Sequence, residues 1–129
     1  MAVTHTTAAR DAATNAVTAL IGTSGNLTFR LTGTVGAPGA VVATLPLSAT
    51  AFGASSTGTA TANAITSDTN AAGNASAVAN AALQTSGGTL VIHCAVAASA
   101  SDINMTNGLT ITAGDTVTCT SLTYTALSA

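Results

Sequence analysis

The side chains able to do chemistry are few and far apart. The chain holds two histidines (His5, His93), two cysteines (Cys94, Cys119), four aspartates (Asp11, Asp68, Asp102, Asp115) and two arginines (Arg10, Arg30), with no Lys, Glu or Trp. Nucleophilic catalysis needs a hydroxyl or thiol beside a base that a third group orients. His5 falls in a polar N-terminal arm and His93 on the polar side of a strand pattern, so each is an ordinary polar residue. Nothing resembles a Gly-x-Ser-x-Gly elbow. Two cysteines and two distant histidines are too scattered for a zinc site. Asp102 with Asn104 and Asn107 makes a thin oxygen set for calcium. The Gly-rich stretches at 33–39 and 86–88 lack the Lys and the following helix of a phosphate loop.

These residues therefore point to structural work. Asp11 is placed in a first helical turn, where it favours the dipole. Asp68, Asp102 and Asp115 lie beside Ser, Thr, Asn or Gly and are expected to bond backbone and fix turns. Cys94 and Cys119 fall in strand patterns and are expected to be reduced, buried thiols, with a disulfide between neighbouring strands as the alternative. No catalytic residue, no cofactor and no metal is expected. Because charge is so scarce, Arg10, Asp11, Arg30 and Asp102 are the candidate interface residues. Arg30 is expected to be solvated on the polar face of its strand, open to pairing with an Asp of a neighbouring subunit.

The elements that must position them follow from periodicity. Residues 1–7 form a polar arm. Residues 8–21 carry an amphipathic helical pattern, with Ala9, Ala13, Ala16, Val17, Leu20 and Ile21 on one face and Arg10, Asp11, Thr14, Asn15 and Thr18 on the other. Thr6 or Thr7 can cap it and Gly22 can stop it. After Gly25 the period becomes two: Leu27, Phe29 and Leu31 point one way, Thr28, Arg30 and Thr32 the other. Further strands are predicted at 41–48, 57–66, 90–96, 109–112 and 117–126, with a hairpin turn at Ser86-Gly87-Gly88; residues 75–84 combine helix propensity with alternation and are read as a strand because strands flank them on both sides. Pro46 places the 41–48 strand at an edge or bulge, because proline cannot donate to a ladder. The core is assigned to Leu27, Phe29, Leu31, Leu90 and Ile92, with Cys94 and Val96 on the same face. The organisation expected is an arm and helix over 1–24 and a β-sandwich over 25–129, one domain overall. The fold class is mainly β, an antiparallel, jelly-roll-like β-sandwich with one N-terminal α-helix.

Composition narrows the setting. Charged residues are 5% of the 129 and aromatics 2%, while Ala (30) and Thr (26) dominate. A typical domain is about a quarter charged. A net charge of −2 gives little colloidal protection, so much of this surface is expected to face other protein. No basic patch or aromatic platform serves nucleic acid. No apolar run reaches the roughly 18 residues a spanning helix needs. The N-terminus lacks a signal-peptide pattern, so synthesis and residence in the cytoplasm, or export within an assembly, are expected.

The segments Val42-Ala-Thr-Leu-Pro-Leu-Ser48 and Ala51-Phe-Gly-Ala-Ser-Ser-Thr-Gly-Thr-Ala-Thr-Ala-Asn-Ala-Ile-Thr-Ser-Asp68 resemble small virion proteins of tailed bacteriophages. Ser101-Asp-Ile-Asn-Met105 and Ile111-Thr-Ala-Gly-Asp-Thr-Val-Thr-Cys-Thr-Ser-Leu-Thr-Tyr124 fit the same pattern. The resemblance spans roughly residues 8 to 127 and departs from that family's pattern over Ala75–Thr89. It implies a capsid cement (decoration) protein, with the major capsid protein and copies of itself as partners and the virion as its location. A tail, neck or fibre module that binds host-surface receptors is the alternative. The family carries no catalytic residues to this chain.

Overall fold

Thr6 begins the helix: its backbone is extended (φ −64°, ψ 158°) and its Oγ1 accepts from the Ala9 N–H at 3.2 Å. The computed structural model describes residues 3–127. The outermost arm residues 1 and 2, and residues 128 and 129 of the 25–129 unit, lie outside the described residues. The helix, α1 (Thr7–Ala19), ends at Leu20. Gly22 follows at φ +71°, the left-handed position that glycine occupies cheaply. Asp11 thus stands in the second turn rather than the first, and its role is not at the helix dipole.

An amphipathic helix ordinarily buries its apolar stripe. Here the docked face is mixed: Thr14 is buried, Arg10, Asp11, Ala13, Val17 and Thr18 are half-buried, and Ile21, just past the helix, joins the core. Ala9, Ala12, Ala16 and Ala19 are exposed and Leu20, just beyond, is 66% exposed. The reason is hydrogen bonding. Arg10, Asp11, Thr14 and Asn15 all find backbone partners in the body of the protein, whereas alanine methyls gain little from burial.

Seven strands follow: β1 (Asn26–Arg30), β2 (Val41–Pro46), β3 (Thr59–Thr61), β4 (Asn80–Gln84), β5 (Leu90–Ala97), β6 (Ile103–Asn104) and β7 (Thr123–Thr125). Five form one sheet in the order β2-β1-β4-β5-β6, and β3 pairs with β7. All pairings are antiparallel except β5–β6, which is parallel over Val96↔Ile103 and Ala97↔Asn104. Parallel neighbours usually need a long crossover. Residues 98–102 manage it because the ladder is short and the Asp102 carboxylate takes the Ala95 N–H at 2.9 Å, as a further ladder residue would. The protein is thus mainly β with one helix and a curled, mixed sheet, a half-barrel.

The strands predicted over 57–66, 75–84 and 117–126 shrink to 59–61, 80–84 and 123–125, and the one predicted over 109–112 does not form. Their flanks still run antiparallel. Backbone bonds join Ala62 to Leu122, Asp68 to Val117, Ala71 to Asp115, Asn74 to Ile111 and Val78 to Leu109. The segment 66–73 also covers the outer edge of β2: Thr66 donates to Pro46, Gly73 to Val42, and Thr44 to the Asp68 carboxylate. Loop-forming Asn, Asp and Gly side chains and turns interrupt these ladders. Pro46 is exposed, and because its carbonyl meets Thr66 on that outer edge, its missing N–H falls on the same side, where the covering segment makes no demand on it.

The core gathers between the curled sheet and the 59–78 and 109–125 segments, around Ile21, Leu27, Phe29, Val42, Leu45, Phe52, Val78, Leu83 and Ile111. Leu31, Ile92, Cys94 and Cys119 pack against it half-buried. Leu90 does not join it, contrary to expectation. A bulge shifts the register so that Leu83 opposes Ile92 while Gln84 opposes Leu90, and Val91 turns to the core instead. Arg30 is likewise not solvated: it is 8% exposed.

Candidate functional site

Every charged side chain hydrogen-bonds within its own chain, and that decides what the surface offers. The first cluster joins α1 to a tight hairpin. Ser56 and Thr59 exchange backbone bonds across Thr57 (φ +51°) and Gly58 (φ +86°), a type I′ turn in which a β-branched residue takes a costly conformation. The helix holds it there. Asp11 Oδ1 accepts from the Gly58 N–H and the Ser55 hydroxyl, each at 2.7 Å. Thr14 donates to Gly58 O at 2.6 Å and accepts from the Ala126 N–H at 3.1 Å. Arg10 donates to Thr57 O at 2.8 Å and Leu127 O at 3.1 Å. A Cβ on Gly58 would stand 2.9 Å from the Arg10 Nε. The Gly58 N–H and then the Ser55 hydroxyl hold the Asp11 carboxyl below its ordinary pKa; partial desolvation opposes them, and Arg10 assists.

The second cluster lies on the face of the sheet away from the core. Arg30 donates to Gly39 O (2.7 Å), Gln84 Oε1 (2.9 Å) and Thr28 Oγ1 (3.3 Å). Its acceptors are neutral and all belong to its own chain. Beside it, Asn80 Oδ1 and His93 Nε2 are buried without a hydrogen-bond partner. The aspartates meet the expectation of backbone bonding. Asp68 accepts from Thr44 and Asn70, Asp102 from Ala95, and Asp115 from Thr112. Of the interface candidates, Arg10 and Asp11 share one cluster, whereas Arg30 and Asp102 sit apart from it and from each other's hydrogen bonds.

The third feature is a groove of about 610 Å³ between residues 102–108 and 115–123. Its floor reaches Phe29 and Ile111; its walls carry Ile103, Met105, Val117, Cys119 and Leu122 with threonine hydroxyls between them. One lip is β6, the last strand of the five-stranded sheet. In the other, no backbone–backbone hydrogen bond among the described residues involves Thr118 to Ser121. Sequence reasoning missed this groove by treating 117–126 as one strand; the apolar phase shift between Cys119 and Leu122 marks the break.

Both cysteines are free and half-buried rather than fully buried. Burial, and then the nearby Asp102 charge, pushes the Cys94 thiol up to about 11. Burial also raises Cys119, against a smaller lowering by hydrogen bonding from the Ser121 backbone. Among the described residues no group of three or more His, Cys, Asp or Glu converges as metal ligands, and no helix is long and apolar enough to cross a membrane. No protein family, no curated protein and no solved structure matches the chain.

Proposed function

We propose that this chain is a structural protein of a bacteriophage virion, a capsid cement or decoration protein that works by contact rather than catalysis. The observation that carries the reading is the exposed, alanine-rich outer face of the helix. α1 spends its polar side chains on its own hairpin and turns Ala9, Ala12, Ala16 and Leu20 outward. That outward face needs little desolvation to meet another protein, since the charged groups nearby are already hydrogen-bonded at home. The helix and arm over 1–21 are the proposed tie to the shell or to a sister subunit. Arg10 and Asp11 serve that tie by fixing the helix, not by reaching across it. The partners proposed are the major capsid protein and further copies of this chain, with the virion as the location after synthesis in the host cytoplasm. We propose further that the half-barrel is the frame of a jelly-roll-like β-sandwich, a reading supported by the long antiparallel run of 59–78 against 109–125. The test is to count copies of the chain in purified virions by quantitative mass spectrometry. Tens to hundreds per particle, in keeping with shell symmetry, are expected. A dozen or fewer would move the protein to neck or tail, and none would remove it from the virion.

A further inference from the structure

Around the half-barrel the extended segments run in the order 109–117, 66–73, β2, β1, β4, β5, β6. The ring stops there. Both ends line the groove, one lip being β6 and the other Thr118–Ser121, which makes no backbone–backbone hydrogen bond among the described residues. One more strand in the gap would bring the count to eight, the number whose barrel interior is just wide enough for side chains to fill. The gap is shaped for that. Its volume of about 610 Å³ is that of a real binding cleft. Its apolar wall residues, Ile103, Met105, Val117, Cys119 and Leu122, are each half-buried and already packed against the core, so an added strand would complete their burial. Unpaired extended backbone is a template for another backbone.

We propose that this groove binds an extended peptide segment of a different protein by strand addition, with small apolar residues alternating along it and a Lys or Arg at its flank. The charge of the rim selects that occupant. Asp102 and Asp115 line the groove, and the structure uses only one carboxylate oxygen of each, on Ala95 and Thr112. No Lys or Arg lines it. A second copy of this chain does not offer its arginines as that cation, because Arg10 and Arg30 are both committed to their own backbone carbonyls. The lip from Thr118 to Ser121 is about 13 Å long at the rise of a strand, so the reading length is four to six residues. The inference does not depend on the virion reading, since it rests on the open edge and its charge alone.

The test uses the whole protein and a synthetic probe, the fluorescein-labelled eight-residue peptide Lys-Val-Thr-Val-Thr-Val-Thr-Lys with blocked ends. Two control peptides carry Glu in place of Lys, or N-methyl groups on alternate backbone nitrogens. Fluorescence anisotropy should show the Lys peptide binding at least about threefold more tightly than the Glu peptide. N-methylation should weaken it about tenfold or more by removing main-chain bonds. Saturating Lys peptide should slow labelling of Cys119 by a thiol reagent and leave Cys94 unchanged. The Asp115→Asn variant should lose the preference for Lys while keeping the N-methyl effect. Equal binding of the N-methylated peptide, equal binding of the Glu peptide, or unprotected Cys119 would each overturn the proposal. So would a stable dimer in which Cys119 is already protected and the peptide is excluded, which would assign the groove to a second copy.

Discussion

Replacing Phe29 with Ala should remove much of what holds this thin core together. Phe29 is 4% exposed in the middle of β1, one of two phenylalanines in the chain. Its cross-strand neighbours are Ala43 on β2 and Ala81 on β4. A buried Phe→Ala change costs about 3–5 kcal/mol, and the cost is set by how far neighbours can relax into the hole. Two alanine methyls cannot relax far, so the upper part of the range, about 4–5 kcal/mol, is expected here. A domain of this size is stable by only about 5–15 kcal/mol in all. The melting point should therefore fall by about 12–20 °C, taking about 3–4 °C per kcal/mol between the values for smaller and larger domains. Urea unfolding followed by far-UV circular dichroism is the suitable assay, since the chain has no Trp and a single Tyr. Phe29→Leu should cost only about 1–1.5 kcal/mol, because most of the volume is kept. Leu20→Ala, on the exposed end of α1, should stay within about 0.5 kcal/mol of the parent. A Phe29→Ala loss below about 1 kcal/mol would refute the assignment of Phe29 to a rigid core.

Three further outcomes are expected. Cys94, with its thiol raised from its ordinary value near 9 to about 11, should label about a hundredfold more slowly at pH 8 in the native state than after denaturation; because its folded pKa is the higher one, the stability it contributes is complete below about 9 and drains away as pH climbs toward 11, which an alkaline series of urea midpoints would record. The Asp11 carboxyl is shifted the other way, so its contribution is present above the ordinary carboxylate range and disappears as pH falls through the lowered value; Asp11→Asn should flatten the acid side of the stability curve, and an unchanged acid limb would show that the hairpin clamp contributes nothing. Arg30→Lys keeps the charge but cannot span Gly39 O, Gln84 Oε1 and Thr28 Oγ1 together; a loss of about 1–3 kcal/mol is expected from the acceptors it abandons, measured by the same urea titration.

Much of the local structure was legible in residue order because its causes are local. The period-two run at Leu27, Phe29 and Leu31, the cap at Thr6, the stop at Gly22, the turn at Ser86–Gly88 and the edge position of Pro46 each follow from a few neighbouring side chains, and the structure has them. The local backbone bonds of Asp68 to Asn70 and of Asp115 to Thr112 were readable for the same reason, whereas the bonds of Asp68 to Thr44 and of Asp102 to Ala95 reach other strands and were not. Three things were decided only by tertiary structure. The face that α1 buries depends on which backbone donors and acceptors await it, and the 55–58 hairpin turns the helix so that Thr14 is buried with Val17 and Ile21 while Ala9, Ala16 and Leu20 are left outside. The phase of β5 depends on a bulge set by its pairing with β4, which turns Leu90 away from the core and Val91 toward it. The open groove depends on β6 ending the sheet opposite a segment that joins no backbone ladder among the described residues, and residues 103–104 and 118–121 become its two lips only when the half-barrel curls.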